Sequence, residues 1–230
     1  MTTLDTTVYI VRHGENPANI NREFSYRLID YSLTPKGVRQ AEDTARFFRD
    51  KPIDAIYSSP LKRAVETAEI IAAPLGLPVA LIEEFREINV GTLEGEPPTD
   101  ENWALHDNII ADWREGRHDS TFPGGEDFHI LRSRIGVGLR LALADHAASE
   151  TRRKIVIVAH GGILTGTVRG LCQDPDLELL KERPCHNCSV SEFTVRLHED
   201  EGAEPIVRMH TWATADHLSH DLLLPSKGSR

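Results

Sequence analysis

The sequence predicts a single α/β domain built on a doubly wound, mainly parallel sheet. Three observations support this prediction. The chain has 230 residues and a mass of 25.7 kDa, which suits one large domain with an ample core. Short apolar runs alternate with longer helical patterns, as in layered α/β folds. The early apolar runs show little polar alternation, which indicates strands buried on both faces.

The predicted strands are short β-branched or apolar runs. The early ones are "TVYIVRH", "AIYSSP", "VALI" and "KIVIVAH". The late runs "SVSEFTVRLH" and "IVRMHTWA" alternate more, so we expect them to complete the sheet, in part as antiparallel strands. The segments "EGEPPTDEN" and "LLLPSKGSR" are predicted to be irregular.

The predicted helices lie between these strands. The first begins at "LTPKG", with Thr34 as its N-cap and a proline at the first helical position. The pattern "SPLKRAVETAEIIAAPLG" repeats the device, which predicts Ser59 as a second N-cap. A third helix is predicted from about Glu126 to Ala148.

The charge balance limits the partners that the protein can have. Its 26 Lys and Arg residues against 36 Asp and Glu residues give a net charge of −10, which opposes binding to nucleic acid or to anionic membranes. The N-terminus lacks the pattern of a signal peptide, and no apolar run approaches the roughly 18 residues of a membrane span. We therefore expect a soluble, cytoplasmic protein whose anion site is a local positive pocket.

The cysteines do not form a disulfide framework. Cys172, Cys185 and Cys188 are an odd number and too few, which fits a reducing compartment. The "CHNC" segment has the spacing of half a zinc site, but no second pair of ligands follows at a suitable distance. Loop thiols are the favoured interpretation, and no metal site is predicted.

The same ending occurs on two predicted strands. "VYIVRHG" and "VIVAHGG" each run a buried strand into a His-Gly pair, at His13 and His160. Ligands bind beyond the carboxyl ends of strands in an open parallel sheet, at the point where strand order reverses. A lone histidine at a strand end is more often structural. Its repetition in matching contexts, once after Arg12, favours a functional site.

A third strand end adds a cation. Arg63 lies three residues after Pro60, so its side chain can fold back toward the strand tip. Arg12 and Arg63 would supply forked donors that match phosphate oxygens, together with the N–H groups of a helix N-terminus. Taken alone, Arg63 would be interpreted as a solvated helix residue.

An acid is expected near the same crevice. Glu87, in "FREINVGTLEG", precedes a glycine-bearing loop from which a carboxylate can reach over the site. Spacing alone does not choose between Glu87 and its acidic neighbours Glu83, Glu84 and Glu94.

Several of these segments together resemble a known family. "RHGENPAN", "LTPKGVRQA", "YSSPLKRAVETA", "REINVGTLEG", "GGED" and "VAHGG" occur in the order typical of the histidine phosphatase superfamily, also called phosphoglycerate mutase-like. The resemblance extends over most of the chain in independent blocks. It implies a three-layer α/β/α sandwich around a mainly parallel sheet, in a single domain spanning residues 1–230.

The resemblance also implies a mechanism. The family forms a phosphohistidine intermediate without a metal or other cofactor. Residue by residue, the catalytic set is the nucleophile His13, the phosphate-binding Arg12 and Arg63, the second histidine His160 and the proton donor Glu87. Asn19 matches a weaker phosphate or substrate contact.

The chemistry of these residue types supports the same roles. A neutral imidazole is available at neutral pH, because its unperturbed pKa is about 6.5. Phosphoryl transfer depends mainly on positioning and charge stabilisation, which two arginines and His160 can provide without Mg²⁺. Glu87 would donate a proton to the leaving alkoxide and then act as a base toward water.

The departures from the family pattern concern the substrate. Asn16 stands where many members have threonine, and the usual Gln-Gly pair is missing from "REFSYRLIDYSLT". We expect these changes to affect the leaving-group pocket. Its candidate lining residues are Asn16, Arg22, Tyr26 and Arg27.

The segment at about 95–125 bears on the reaction type. Mutases of this family carry a long, basic insertion that closes over a bisphosphate, whereas here the lid-like insertion is short and acidic. We therefore predict a phosphomonoesterase acting on a small phosphorylated metabolite. A cofactor-dependent phosphoglycerate mutase and a non-catalytic phosphate-binding module are the alternatives.

The apolar residues of this insertion can have one of two roles. Core packing is the favoured role for most of its apolar residues, with a lid face as the alternative, namely Trp103, Leu105, Ile109, Ile110 and Trp113. His106 and His118 are predicted to be surface residues.

The sequence does not choose among sugar phosphates, phosphoglycerates, a nucleotide-loop phosphate of cobalamin synthesis and phosphoprotein. The oligomeric state is also open, with a homodimer as one alternative.

Overall fold

A six-stranded mixed sheet forms the centre of the molecule. The computed structural model of the chain describes residues 5–144, 152–198 and 203–224. In chain order the strands are β1 Thr6–Arg12, β2 Ala55–Ser58, β3 Val79–Leu81, β4 Lys154–Ala159, β5 Val190–Arg196 and β6 Ile206–Thr214. Their order across the sheet is β3-β2-β4-β1-β5-β6. The first four strands pair in parallel, while β5 is antiparallel to β1 and β6 is antiparallel to β5. The predicted strands and the antiparallel end of the sheet are confirmed.

Helices cover the sheet. In chain order they are α1 Pro17–Asn21, α2 Pro35–Phe48, α3 Lys62–Ala72, α4 Asp100–Arg114, α5 Phe128–Ala144, α6 Gly161–Leu171, α7 Leu177–Glu182 and α8 His220–Leu223. The helix predicted from Glu126 to Ala148 is α5, which begins two positions later; Ala148 itself lies outside the described residues. Within the described part of the chain, no helix is long and apolar enough to cross a bilayer.

One of the two predicted N-caps is confirmed and the other is wrong. Thr34 accepts a hydrogen bond from the Gly37 N–H and caps α2. Ser59 does not cap α3, which begins at Lys62 after Leu61 and has no side-chain cap. The physical reason is that the Ser59 hydroxyl is directed to another partner, His160, at 2.7 Å.

Two apolar cores lie on opposite faces of the sheet. In β4, Ile155 and Ile157 belong to one core, while the alternate residues Val156 and Val158 belong to the other. The first core includes side chains of α4, α5 and α6, and the second includes side chains of α2 and α3. Burial on both faces explains why the central strands are continuously apolar. The arrangement is the expected three-layer α/β/α sandwich.

Candidate active site

The carboxyl ends of β1 and β4 lie side by side. Arg12 is paired with Ala159 in the parallel register, and the His13 N–H donates to the Ala159 carbonyl at 2.9 Å. The strand register therefore places the residues that follow these strands together. The ring centroids of His13 and His160 are 5.2 Å apart, and both side chains are buried.

The hydrogen bonds of His13 determine its tautomer. Its Nδ1 lies 2.7 Å from the Gly14 carbonyl oxygen. Because a carbonyl only accepts, Nδ1 carries the proton and Nε2 carries the lone pair. Arg63 donates its Nε–H to this Nε2 at 3.1 Å. Burial and the charges of Arg63 and Arg12 hold the pKa of His13 well below 6.5, so the ring is neutral.

The turn after His13 is held by close backbone packing. A Cβ on Gly14 would lie 2.6 Å from the Gly37 carbonyl oxygen, so only glycine allows this contact. The Gly14 N–H donates to Thr67 Oγ1 at 3.0 Å, and the Thr67 hydroxyl donates to the Arg63 carbonyl at 2.6 Å. The start of α2 and the middle of α3 thereby orient the turn against Arg63.

Two guanidinium groups flank His13, that of Arg63 buried and that of Arg12 partly buried. Arg63 is 1% exposed, and its Nη2 donates to the Ser25 carbonyl at 2.8 Å. Burial lowers its pKa to about 10, so it stays cationic at neutral pH. Arg12 donates from Nη1 to the Cys185 carbonyl at 2.5 Å. The backbone carbonyls fix both side chains without neutralising their charges.

His160 occupies the second strand tip. Its Nε2 lies 2.7 Å from the Ser59 hydroxyl oxygen. Burial and the charge of Arg63 hold the pKa of His160 well below 6.5. Three nitrogen atoms around the two rings are buried and have no hydrogen-bond partner among the described residues, namely Arg12 Nε, Arg63 Nη1 and His160 Nδ1. Unpaired buried nitrogen atoms are rare in folded proteins, and they are suited to binding an anion.

Glu87 lies at the N-terminus of α6. Its Oε2 accepts from the Gly162 N–H at 3.0 Å, and its Oε1 accepts from Ile163 N–H at 3.0 Å and from Ile88 N–H at 2.9 Å. A Cβ at Gly162 would lie 2.5 Å from Oε1, so glycine is required for this approach. The carboxylate is thus fixed at the helix that begins directly after His160.

A partly buried ion pair positions the backbone around Glu87. Arg134 on α5 makes two hydrogen bonds to Glu126, at 2.7 and 2.9 Å. The same guanidinium donates to the carbonyls of Glu84, Arg86 and Glu87 at 2.5, 2.8 and 3.2 Å. The sequence interpretation missed Arg134, because no local pattern indicates that an arginine on a distant helix contacts this loop.

The acidic neighbours of Glu87 have other partners. Glu83 pairs with Arg86. The Glu94 carboxylate is buried, and its Oε1 accepts from four consecutive backbone N–H groups, those of Tyr26, Arg27, Leu28 and Ile29, at 2.6 to 3.2 Å. Glu94 therefore holds a loop, and Glu87 is the carboxylate among these candidates that lines the cavity described next.

A cavity of about 440 Å³ opens over the two strand tips. Arg12, His13, Arg63 and Glu87 line it, whereas His160 is fully buried behind the lining. The other lining residues are Asn19, Glu23, Phe24, Ser25, Ile88, Val90, Trp103, His106, Gly161, Gly162, Thr165, Pro184 and Cys185. The site combines a neutral imidazole with an available lone pair, two arginines and a carboxylate. This combination suits transfer of a phosphoryl group.

Comparison with protein families agrees with this geometry. The model of the histidine phosphatase superfamily (branch 1) matches residues 8–204. The chain belongs to this superfamily. The resemblance predicted from the sequence motifs is therefore confirmed.

Individual members of the histidine phosphatase superfamily are similar over most of their length. Uncharacterized phosphatase PhoE of Bacillus subtilis (strain 168) is 33% identical over 174 residues, which cover 75% of this chain and 81% of that protein. Probable phosphoglycerate mutase GpmB of Yersinia pestis (strain Pestoides F) is 34% identical over 192 residues, covering 80% and 82%. The solved structure of Bacillus stearothermophilus YhfR has a TM-score of 0.68 at 26% identity, covering 94% and 99%. The chain is an enzyme of the phosphatase type, and its reaction is phosphomonoester hydrolysis.

Only some of the predicted substrate-binding residues of this histidine phosphatase line the cavity. Asn19 lines it, and its Oδ1 accepts from Asn187 Nδ2 at 3.0 Å. Asn16 is fully buried and caps α1 through a reciprocal pair of hydrogen bonds with Asn19 at 3.2 Å. Arg22 lies 5.1 Å from the centre of the Trp103 ring and 3.9 Å from Asp100. Asn16 and Arg22 are not among the residues that line the cavity, and neither are Tyr26 and Arg27.

Helix α4 contributes one wall of the cavity. Trp103 lines it, whereas Ile109, Ile110 and Trp113 are buried in the core and Leu105 is exposed. His106, predicted to be a surface residue, is partly exposed, and its ring also packs against Phe24 and Trp103 and lines the cavity. His118 is also not a free surface residue, because it stacks on Phe128 at 4.0 Å.

The "CHNC" segment packs against the strand tip. The Cys188 N–H donates to the Arg12 carbonyl at 2.9 Å, and Asn187 Nδ2 donates to the His13 carbonyl at 2.9 Å. Burial raises the pKa of the Cys188 thiol to about 12 and raises the pKa of Cys185 as well. No group of three or more His, Cys, Asp or Glu side chains in the described ranges is placed to hold a metal ion.

Proposed function

We propose that the enzyme hydrolyses small phosphomonoesters through a phosphohistidine on His13, with no metal ion. The observation that carries this proposal is the hydrogen bond from His13 Nδ1 to the Gly14 carbonyl. It leaves Nε2 as the nitrogen with a lone pair, and the lowered pKa keeps that lone pair free of a proton. A buried, neutral and fixed imidazole is a competent nucleophile.

In the first step, His13 Nε2 attacks phosphorus and the bond to the leaving oxygen breaks. The hydrogen bond from Arg63 Nε to Nε2 must yield as the new bond forms. The unpaired nitrogen atoms Arg12 Nε and Arg63 Nη1 are available to the phosphoryl oxygens, and His160 Nδ1 can act as a third donor. The leaving alkoxide takes a proton from Glu87, which is supplied beforehand by solvent or by a monoanionic ester.

In the second step, water attacks the phosphohistidine. Glu87, now a carboxylate, accepts a proton from this water, the P–N bond breaks, and inorganic phosphate leaves. The N–H groups of Gly162 and Ile163 hold the carboxylate in place for this role. The lone pair of His13 Nε2 returns with the bonding electrons, which restores the starting state.

The cationic groups at His13 supply the charge stabilisation that a metal ion provides in other phosphatases. The buried Arg63, the partly buried Arg12 and a helix N-terminus are fixed in place before the reaction, which is the condition under which such donors are most effective. The acidic lid-like insertion at about 95–125 favours a phosphatase over a phosphoglycerate mutase, because it does not add positive charge for a bisphosphate. A non-catalytic binding module is disfavoured, because the chain carries all five side chains that match the catalytic residues of the family. The three free cysteines and the net charge support a cytoplasmic location.

The test is hydrolysis of p-nitrophenyl phosphate and a panel of alkyl phosphomonoesters by the purified protein in excess EDTA. We expect unchanged turnover after chelation. Loss of activity that zinc or magnesium restores would contradict the metal-free mechanism. Absence of hydrolysis with every ester, before and after chelation, would contradict the proposed function as a whole.

A further inference from the structure

We infer that the cavity selects a leaving group that carries a hydrogen-bond donor and no anionic group, and that Glu23 is the residue that imposes this selection. The inference deepens the proposed function and rests on it. It concerns the part of the cavity that receives the alcohol portion of the ester.

The charges that line the cavity are distributed unevenly. Among the described lining residues, Arg12 and Arg63 are the lysine or arginine side chains, and both flank His13. Any phosphoryl group bound there occupies their donors. The carboxylates that line the cavity are Glu87 and Glu23. Because Glu87 carries the proton for the leaving group at this stage, a leaving group with a carboxylate or a second phosphate would meet the negative charge of Glu23 without a compensating cation.

One carboxylate oxygen of Glu23 accepts no hydrogen bond from the described residues. Its Oε2 is shielded from solvent and has no partner among the described residues. The charge of Glu23 and a hydrogen bond with it raise the pKa of the Tyr31 hydroxyl, which lies beside this carboxylate. A buried carboxylate oxygen without a partner is costly, so a donor on the ligand would stabilise it. A hydroxyl or an ammonium group can act as this donor.

The neighbouring cation does not neutralise Glu23. Arg22 has left-handed backbone geometry, with φ of 58°. Its guanidinium lies over the Trp103 ring and within 3.9 Å of Asp100 on α4. The charge of Arg22 is therefore matched by an acid of α4. Further acidic residues on α4, Glu101 and Asp107, add negative charge to that helix.

The remaining wall is apolar. Phe24 and Trp103 pack with ring centroids 4.5 Å apart, and His106 lies 5.6 Å from Phe24. Ile88 and Val90 line the same cavity. This wall would contact the carbon skeleton of the leaving group, while Glu23 would bind its donor. The substrate class is thus the phosphate ester of a neutral or cationic alcohol.

Three esters of nearly equal size test the inference. They are 2-hydroxyethyl phosphate, ethanolamine phosphate and phosphoglycolate, whose terminal groups are neutral, cationic and anionic. We expect kcat/KM for phosphoglycolate to be at least about tenfold below that for the better of the other two. Glu23→Gln should bring this ratio to within about threefold, because the negative charge is removed and the shape is kept.

Controls separate selectivity from other effects. Glu42→Gln, an exposed position on α2, makes the same change in net charge and should leave the ratio unchanged. Glu23→Gln should melt at the same temperature as the wild type, which shows that it is folded, and the ratio of the three esters cancels any loss of rate that they share. An unaltered ratio in a folded Glu23→Gln variant, or a wild type that prefers phosphoglycolate, would overturn the inference. Neither outcome would affect hydrolysis through His13, which p-nitrophenyl phosphate reports independently.

Discussion

The tips of β1 and β4 share the His-Gly sequence, yet their imidazoles have different hydrogen bonds. After His13 the chain remains irregular until α1, so the Gly14 carbonyl turns back and accepts from the His13 ring. After His160 the chain enters α6 at once, and the Gly161 carbonyl accepts from Thr165 within that helix at 2.9 Å. His160 bonds to Ser59 instead.

The path of the chain after each glycine thus determines which ring nitrogen of each histidine makes a hydrogen bond. A backbone carbonyl fixes the proton of His13 on Nδ1 and leaves the lone pair on Nε2, the nitrogen that we propose attacks phosphorus. In His160, Nε2 contacts a hydroxyl and Nδ1 remains unpaired. We therefore assign nucleophilic attack to His13 and phosphate stabilisation to His160, although both follow buried strands of nearly equal character.

Replacing each histidine by alanine should give the largest effects on rate and should distinguish the two roles. His13→Ala should lose roughly four orders of magnitude or more in kcat, because no nucleophile remains. His160→Ala should lose roughly two to three orders, the usual cost of one stabilising donor, and should still form a phosphoenzyme. Steady-state rates, with circular dichroism to confirm folding, provide the measurement. A larger loss in His160→Ala than in His13→Ala would reverse the assignment.

Glu87 belongs to the β4 side of the site, since it binds the first N–H groups of α6. If it protonates the leaving group, Glu87→Gln should slow phosphorylation by an alkyl ester by roughly two to four orders of magnitude. The loss with p-nitrophenyl phosphate should be much smaller, because a stabilised aryl oxide leaves without a proton. Phosphorylation rates before dephosphorylation becomes limiting give the comparison.

Glu84→Gln is the matched control for Glu87, since the Glu84 contact with Arg134 is made by its backbone carbonyl. It should show no dependence on the leaving group. Glu94→Gln is a poor control because its carboxylate holds the loop that begins at Tyr26. Equal losses on alkyl and aryl esters in Glu87→Gln would mean that Glu87 positions the site and that another group donates the proton.

The pH dependence is the smallest expected effect. Burial and the arginines lower the pKa of both His13 and His160 well below 6.5, so the acid limb of kcat/KM should lie below that value. Between the lowered folded value and the unfolded value, the unfolded chain binds more protons. Stability therefore rises with pH through this window and is lost on acidification. Arg12→Gln should move the limb to higher pH. A limb at or above 6.5 in the wild type would show that these imidazoles are not held neutral.

The architecture and the main site residues could be predicted because their signals are local. Continuous apolar strands, the cap at Thr34 and the two His-Gly endings lie within short segments. Contacts between distant segments could not be predicted. Ser59 looked like a helix cap because its neighbours suit one, whereas its hydroxyl is bound to His160. Arg134 and Glu23 carry no local signal, since their roles depend on where α5 and the loop before Phe24 pack.

The roles of the predicted site residues remain proposals, and the most direct test is the location of the phosphoryl group. The enzyme would be mixed with excess p-nitrophenyl phosphate, quenched rapidly in alkali and mapped by mass spectrometry, with His13→Ala as the control. We predict an alkali-stable, acid-labile phosphate on His13, no phosphate in His13→Ala, and retention of the label on His13 in His160→Ala. Phosphate on His160, or on any residue other than His13, would contradict the assignment of the two strand tips.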